Sequence, residues 1–171
     1  SDPENPVLNA TLRKNNNLDL KLLGTAYAEI EIIDGLKYKF LAGIDLNYGA
    51  NSQFVPAFNA GDFSISPQAT INETRNTNVS PLISNQLSFN KSFGQHTIDA
   101  VAVAEQQTFR FESVNASGEN SITNDLEVLD GVENPNVGGT ENEAALISYI
   151  GRVNYDFAGK YLLGASIRFD G

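Results

Sequence analysis

Apolar residues recur at every second position over long stretches of this chain, and this alternation most constrains its fold. From Leu36 to Tyr48 the even-numbered positions are apolar and most odd-numbered ones are polar. The stretch 25–33 alternates in the same way, and Asp34-Gly35 separates the two stretches. Alternation with a period of two is the pattern of a β-strand with one apolar face, so the two stretches predict an antiparallel hairpin.

The length of the turn decides which side chains share a face in this first hairpin. A two-residue Asp34-Gly35 turn would place apolar positions opposite polar ones. A three-residue loop over 33–35, with Gly35 in the left-handed region, places apolar positions opposite each other, and we therefore predict this loop. It also predicts two cross-strand ion pairs: Glu31 with Lys37, and Glu29 with Lys39.

Two further hairpins follow from the same alternation. In the second, the apolar positions of 83–93 and 96–104 match across the turn if Gly94-Gln95 is a two-residue turn with glycine first. In the third, the apolar positions match across a turn near Ala158-Gly159-Lys160. The three predicted hairpins span about 22–48, 83–105 and 147–170.

The connections between the hairpins are much longer than the turns within them. We predict long loops over about 49–82 and 106–146, and long loops opposite short turns are typical of outer-membrane barrels. The predicted fold class is therefore all-β, with antiparallel β-hairpins of about six strands forming part of a transmembrane β-barrel. Because the smallest barrels have about eight strands, the isolated chain would form an incomplete barrel.

A soluble β-sandwich is the alternative, because its strands also carry one apolar face each. The chain would then be a soluble binding module, with carbohydrate as one candidate ligand. Aromatic placement favours the barrel, because aromatic residues flank the aliphatic positions at both ends of the third hairpin, as in membrane girdles. These aromatic residues are Tyr155, Phe157 and Tyr161 beside the turn, and Tyr149 and Phe169 at the open end.

Three segments resemble the SusC/RagA-type TonB-dependent outer-membrane receptors, in the order in which that family carries them. Ser148–Gly171 resembles its "GRVNYDYKGKYLL" hairpin and the strand that follows it. Leu22–Phe40, followed by Gly43-Ile-Asp, resembles its "GNAYLEYEIIKGLKFK" hairpin, and Leu87–Ile98 resembles "LTYNKTFGKHNL". The resemblance covers the three hairpins, roughly half of the chain, while the predicted loops match nothing in the family.

The resemblance implies a function in nutrient import across the outer membrane. Receptors of this family are 22-stranded barrels with an N-terminal plug, and they import glycans or peptides together with a SusD-like surface lipoprotein and TonB. This chain carries no plug and no TonB box, so we interpret 1–171 as a single internal segment of such a barrel. We expect it to contact outer-membrane lipid, and alone it would not transport a ligand.

Composition argues against several other classes of function. The chain has 11 basic and 21 acidic residues, a net charge of −10, which disfavours nucleic acid as a partner. It has no cysteine and a single histidine, His96, and no nucleophile and base are placed together by the sequence. We therefore predict no enzyme activity and no catalytic, cofactor or metal site.

The predicted loops contain two features of interest. The segment 111–151 holds eight acidic residues and neither lysine nor arginine, which favours a solvated external loop over a calcium site because the EF-hand spacing is absent. The first loop carries Phe54, Phe58 and Phe63. Exposed aromatic residues stack on sugars or anchor a partner, so these three are candidate ligand or partner contacts. Packing of this loop against the barrel mouth is the alternative.

Overall fold

The computed structural model of the chain describes residues 12–59 and 65–171. Apart from one short 3₁₀ turn, Leu129–Gly131, its regular structure is almost entirely β. The strands are β1 (Lys14–Ile33), β2 (Leu36–Val55), β3 (Phe58–Asn59), β4 (Ile65–Ser66), β5 (Thr70–Phe93), β6 (His96–Glu119), β7 (Glu133–Phe157) and β8 (Tyr161–Asp170).

Six long strands form one antiparallel sheet in the order β1-β2-β5-β6-β7-β8. The six long strands lie in the sheet in the same order in which they occur in the chain. The small strands β3 and β4 pair separately, with Phe58 opposite Ser66. The predicted fold class, a set of antiparallel hairpins of about six strands that is part of a β-barrel, is confirmed.

Gly35 and Gly94 have the turn positions predicted for them, although β1 includes Ile33, so that Asp34-Gly35 and not 33–35 lies between the first two strands. Gly35 has φ +83°, and a Cβ there would lie 2.4 Å from the backbone oxygen of Asn90, so both the conformation and the space require glycine. Gly94 has φ +62° and is the first residue of the two-residue turn between β5 and β6. A turn with positive φ at its first central residue matches the twist of the strands that it joins.

Contacts across the strands confirm the predicted registers of the second and third hairpins. The hydroxyls of Ser92 and Thr97 lie 2.9 Å apart, one step from the Gly94-Gln95 turn. In the third hairpin the apolar positions face each other, from Phe157 opposite Tyr161 to Tyr149 opposite Phe169. A shift by one residue would move every apolar side chain to the other face.

The predicted ion pairs of the first hairpin are wrong in detail. Lys37 pairs with Glu29, at 3.6 Å, and not with Glu31, whose Oε1 accepts the backbone N–H of Gly35 at 3.2 Å. The ammonium of Lys39 lies 4.3 Å from the centre of the Tyr27 ring. These side chains still share one face, as predicted, but they reach diagonally, which long charged side chains do readily.

The predicted long loops are wrong for most of their residues. β2 ends at Val55 and β5 begins at Thr70, so the connection between them is 56–69 instead of the predicted 49–82. Likewise 120–132 remain between β6 and β7 instead of about 106–146. These strand ends are rich in polar residues and carry only scattered apolar ones, so they lack a regular alternation, although they pair with the neighbouring strands of the sheet.

The chain divides into two compact units. The hairpin unit comprises 22–46, 79–110 and 143–171, and the loop unit comprises the described residues within 1–21, 47–78 and 111–142. The loop unit contains a small core of fully buried side chains: Phe54, Ala69 and Ile71. Within 12–59 and 65–171, no helix is long and apolar enough to cross a membrane.

Candidate membrane-facing surface and loop core

One face of the hairpin unit is a broad apolar surface that is exposed. Strand alternation places the apolar residues of β5 to β8 on this face, and the β7–β8 register aligns them across the strands. Leu163 is 70% exposed and Ile167 is 57% exposed. We call this face the apolar surface and define it by Leu87, Phe89, Ala100, Ala102, Ala104, Gly151, Val153, Leu163, Ala165 and Ile167.

Small residues hollow the middle of the apolar surface. Ala100 and Ala102 of β6 and Gly151 of β7 lie between Leu87 on β5 and Ile167 on β8. The resulting shallow depression has a volume of about 610 Å³. Its lining is almost wholly apolar, and a soluble monomer rarely exposes an apolar patch of this kind without a partner or a membrane.

Aromatic rings cluster where the turns of the second and third hairpins meet. The His96 ring stacks on Phe93 with centroids 5.4 Å apart and lies 4.9 Å from the ring of Phe157. Its Nδ1 lies 2.6 Å from the Tyr155 hydroxyl, and Phe157 stacks on Tyr161. The cluster gives His96 an aromatic and hydrogen-bonded setting at one end of the apolar surface.

The opposite end of the apolar surface carries the predicted second aromatic pair. Tyr149 and Phe169 are direct neighbours across β7 and β8. Beside them the fully buried Ser148 donates its hydroxyl to Asp170 at 2.6 Å, and the guanidinium Nε of Arg168 donates to the same carboxylate at 2.9 Å. The hairpin therefore has aromatic residues at both ends and aliphatic residues between, which is the arrangement of membrane-spanning barrel strands.

The three phenylalanines predicted as ligand or partner contacts have different positions. Phe54 is only 3% exposed and belongs to the small core, so its side chain packs inside the loop unit. Phe58 lies on β3 and is half-buried. Phe63 lies outside the described residues. For Phe54 the alternative, a packing role for this loop, is the better interpretation.

The two remaining loops are held together by contacts that the sequence did not indicate. The Asn124 carboxamide accepts the backbone N–H of Ala57 and donates to its carbonyl, each at 2.9 Å. The N–H of Asn120 donates to the carbonyl of Ala69 at 2.8 Å. The described residues of 56–69 are therefore hydrogen-bonded to 120–132, although the bonded residues are more than 50 positions apart in the chain.

The acidic segment 111–151 is largely strand and not a free loop. Its acidic residues are spread along β6, the 120–132 connection and β7. Glu127 forms an ion pair with Lys14, and the Glu133 carboxylate accepts the Asn120 side chain at 2.8 Å. Over the described parts of the chain, no group of three acidic or histidine side chains converges to hold a metal ion.

Two curated relatives match nearly the whole chain. "TonB-dependent receptor P3" of Formosa agariphila is 30% identical over 173 residues, covering 99% of this chain and 17% of the relative. "TonB-dependent receptor P39" of the same organism is 27% identical over 180 residues, covering 98% of this chain and 16% of that protein. The chain thus spans less than a fifth of either relative. No protein-family model matches it.

Solved structures share the fold. The RagAB peptide transporter matches with a TM-score of 0.85 and 22% identity, over 94% of this chain and 18% of that one. The RagAB peptide importer in its closed-closed state matches with a TM-score of 0.82 and 23% identity, over the same shares. The three segments singled out in the sequence, the open antiparallel sheet and these relatives agree. Over nearly its whole length the chain is similar to the TonB-dependent receptors, and its fold corresponds to one stretch of the receptor β-barrel.

Proposed function

We propose that the chain is a section of the wall of an outer-membrane importer. In this proposal the apolar surface of the hairpin unit faces lipid, and the opposite, charged face lines the lumen. The complete receptor would take up a glycan or peptide with the help of a SusD-like surface lipoprotein and TonB. The chain itself would have no enzymatic step, and its contribution would be to enclose and contact the ligand.

The exposed apolar surface is the observation that carries this proposal. Aliphatic side chains such as Leu163 and Ile167 stand in the open between two aromatic ends. Moving one such side chain from water into an apolar environment is favourable by about 1.5–3 kcal/mol. An exposed apolar surface of this extent therefore indicates contact with a partner or a membrane. A sandwich would supply a second sheet, but the described strands form one large sheet and a two-stranded ribbon. The aromatic residues at both ends of the surface favour lipid as the environment that it contacts.

The strands are longer than a bilayer crossing requires, which supports strands that extend beyond the membrane. β5 and β6 each have 24 residues, whereas a tilted strand crosses a bilayer with about 9–11 residues. We assign the crossing to the hairpin unit, with its short turns on the periplasmic side, and the connections between hairpins to the extracellular side. There the half-buried Phe58 remains a candidate contact for a ligand or for the lipoprotein.

Neighbouring positions on β8 provide the test of this proposal. Ile167 belongs to the apolar surface, and Ser166 points to the opposite face because alternate residues of a strand do so. We would place a single cysteine at either position of the full-length receptor, which is practicable here because this segment has no cysteine of its own. A fluorophore on each cysteine would then be exposed to brominated lipid in reconstituted vesicles.

The proposal expects strong quenching of the fluorophore for Ile167→Cys and little for Ser166→Cys. The second variant is the matched control, because it lies one residue away at the same depth. Equal quenching at both positions would contradict a lipid-facing assignment of the apolar surface. Weak quenching at both, with reaction of both cysteines with a water-soluble maleimide, would place the whole hairpin in water.

A further inference from the structure

A polar depression in the loop unit has the properties of a ligand site. It has a volume of about 400 Å³ and is bordered by three neighbouring strands, β1, β2 and β5. We call it the Gly49 depression. Its lining consists of Asp19, Leu20, Lys21, Asn47, Tyr48, Gly49, Asn76 and Asn78.

The absence of a side chain at Gly49 keeps this depression open. A Cβ at Gly49 would have a single neighbour within 4 Å, the Oδ1 of Asp19 at 3.3 Å, and the backbone there is not left-handed. The glycine is therefore not required by the fold of the strand. It leaves the Asp19 carboxylate facing an unfilled space between β1 and β5.

Carboxamides dominate the surroundings of the Gly49 depression. Asn47, Asn76 and Asn78 line it. Further along β1 and β2, the Asn51 amide of β2 donates to the side-chain oxygen of Asn15 of β1 at 2.8 Å. Each carboxamide can donate and accept at once. Such a surface matches a ligand that presents donors and acceptors in alternation, without a large net charge.

The spacing of two of these carboxamides favours an extended peptide. Asn76 and Asn78 lie two residues apart on β5 and point to the same side of the strand. Their separation is therefore about 6.8 Å, the repeat of alternate residues in any extended chain. A peptide lying along β5 would thus meet both carboxamides with equivalent backbone groups.

We propose that the Gly49 depression binds an extended peptide segment of the transported ligand. Asn76 and Asn78 would pair with the backbone amides of alternate ligand residues, and the Asp19 carboxylate would accept a ligand N–H. This proposal rests on the proposed import function and narrows it, because it names the ligand class and the residues that contact it.

The test fills the depression in the full-length receptor. Gly49→Gln places a long side chain in the open space, while Gly138→Gln places the same side chain on β7 of the same unit, where a Cβ meets nothing within 4 Å. A third variant, Asn76→Leu, removes one carboxamide at nearly constant size. Resistance of the folded barrel to SDS at room temperature would establish that each variant is folded.

The probe is a tryptic digest of casein, with malto-oligosaccharides as the second ligand class. Peptides retained by the purified receptor would be identified by mass spectrometry, and one of them would be synthesised for titration. We expect Gly49→Gln and Asn76→Leu to weaken its binding about tenfold, the effect of one or two lost hydrogen bonds. Gly138→Gln should bind like the unaltered receptor.

Each other outcome has a distinct meaning. Equal peptide binding by all variants would overturn the site and leave the import function standing. Retention of malto-oligosaccharides but not peptides, with loss in Gly49→Gln, would overturn the ligand class. If the receptor retained neither ligand, the peptide site would be refuted, whereas lipid quenching at Ile167 would still report separately on the membrane assignment.

Discussion

Replacing Phe54 by alanine should destabilise the loop unit locally without unfolding the hairpins. Phe54 is the largest of the three buried side chains of the small core, and only partly buried neighbours such as Leu129 and Val132 surround them. A buried phenylalanine removes about 150 Å² or more from water, which at about 25 cal/mol per Å² is about 4 kcal/mol. This agrees with the cost of about 3–5 kcal/mol for replacing a buried phenylalanine by alanine.

Hydrogen exchange of the full-length receptor in detergent would measure this loss locally. The N–H of Asn120 bonds to Ala69, and the N–H of Ile122 bonds to Gly131, so both report on opening of the loops around the core. At 1.4 kcal/mol per factor of ten, Phe54→Ala should accelerate their exchange about a hundredfold to a thousandfold. Exchange in the hairpin unit should stay unchanged.

Phe109→Ala is the matched control, because Phe109 lies on β6 of the hairpin unit and is 42% exposed. It should leave exchange at Asn120 and Ile122 unaltered. If Phe54→Ala and Phe109→Ala gave the same exchange rates at these two amides, the small core would not be what holds the loops together. The assignment of Phe54 to packing would then be refuted.

Three further substitutions test separate parts of the structure. Gly118→Ala brings a Cβ to 2.2 Å from the stiff Val132 side chain, so thermal unfolding should show a loss of about 1–3 kcal/mol, whereas Gly138→Ala, in open space, should not. Asn124→Ala removes both hydrogen bonds of its carboxamide to Ala57, so hydrogen exchange of the Ala57 N–H should become faster by the equivalent of about 1–3 kcal/mol; an unchanged exchange rate would show that these bonds do not hold the two loops together. Ala102→Arg should cost about 2–4 kcal/mol for folding into vesicles, measured by urea titration, and a cost near zero would argue against lipid contact.

Local sequence chemistry was sufficient to predict the hairpins. Gly35 and Gly94 stand where a turn needs positive φ, and alternation on either side allows one register that keeps the apolar positions together. The face predicted to be apolar in β7 and β8 is therefore the face observed, residue for residue. These features depend on neighbours in the chain, and so the sequence alone contains them.

The polar strand ends and the loop core could not be predicted in this way. The outer parts of β5 to β7 have no regular alternation of apolar residues, and only their pairing with adjacent strands identifies them as strands. In the sequence, a phenylalanine that contacts a ligand cannot be distinguished from one that packs in a core. Phe54 is buried because Ile71 and Leu129, which are distant in the chain, pack around it.

The alternation of apolar residues thus determined by itself the number of hairpins, their turns and the face that is apolar. Tertiary structure decided how far the strands run, that Phe54 is buried, and that Gly49 leaves a gap between Asp19 and Asn76. The physical reason is the range of the interactions. A turn and its register are set by residues a few positions apart, whereas strand extension, burial and a shared cavity depend on residues that meet only after the chain has folded.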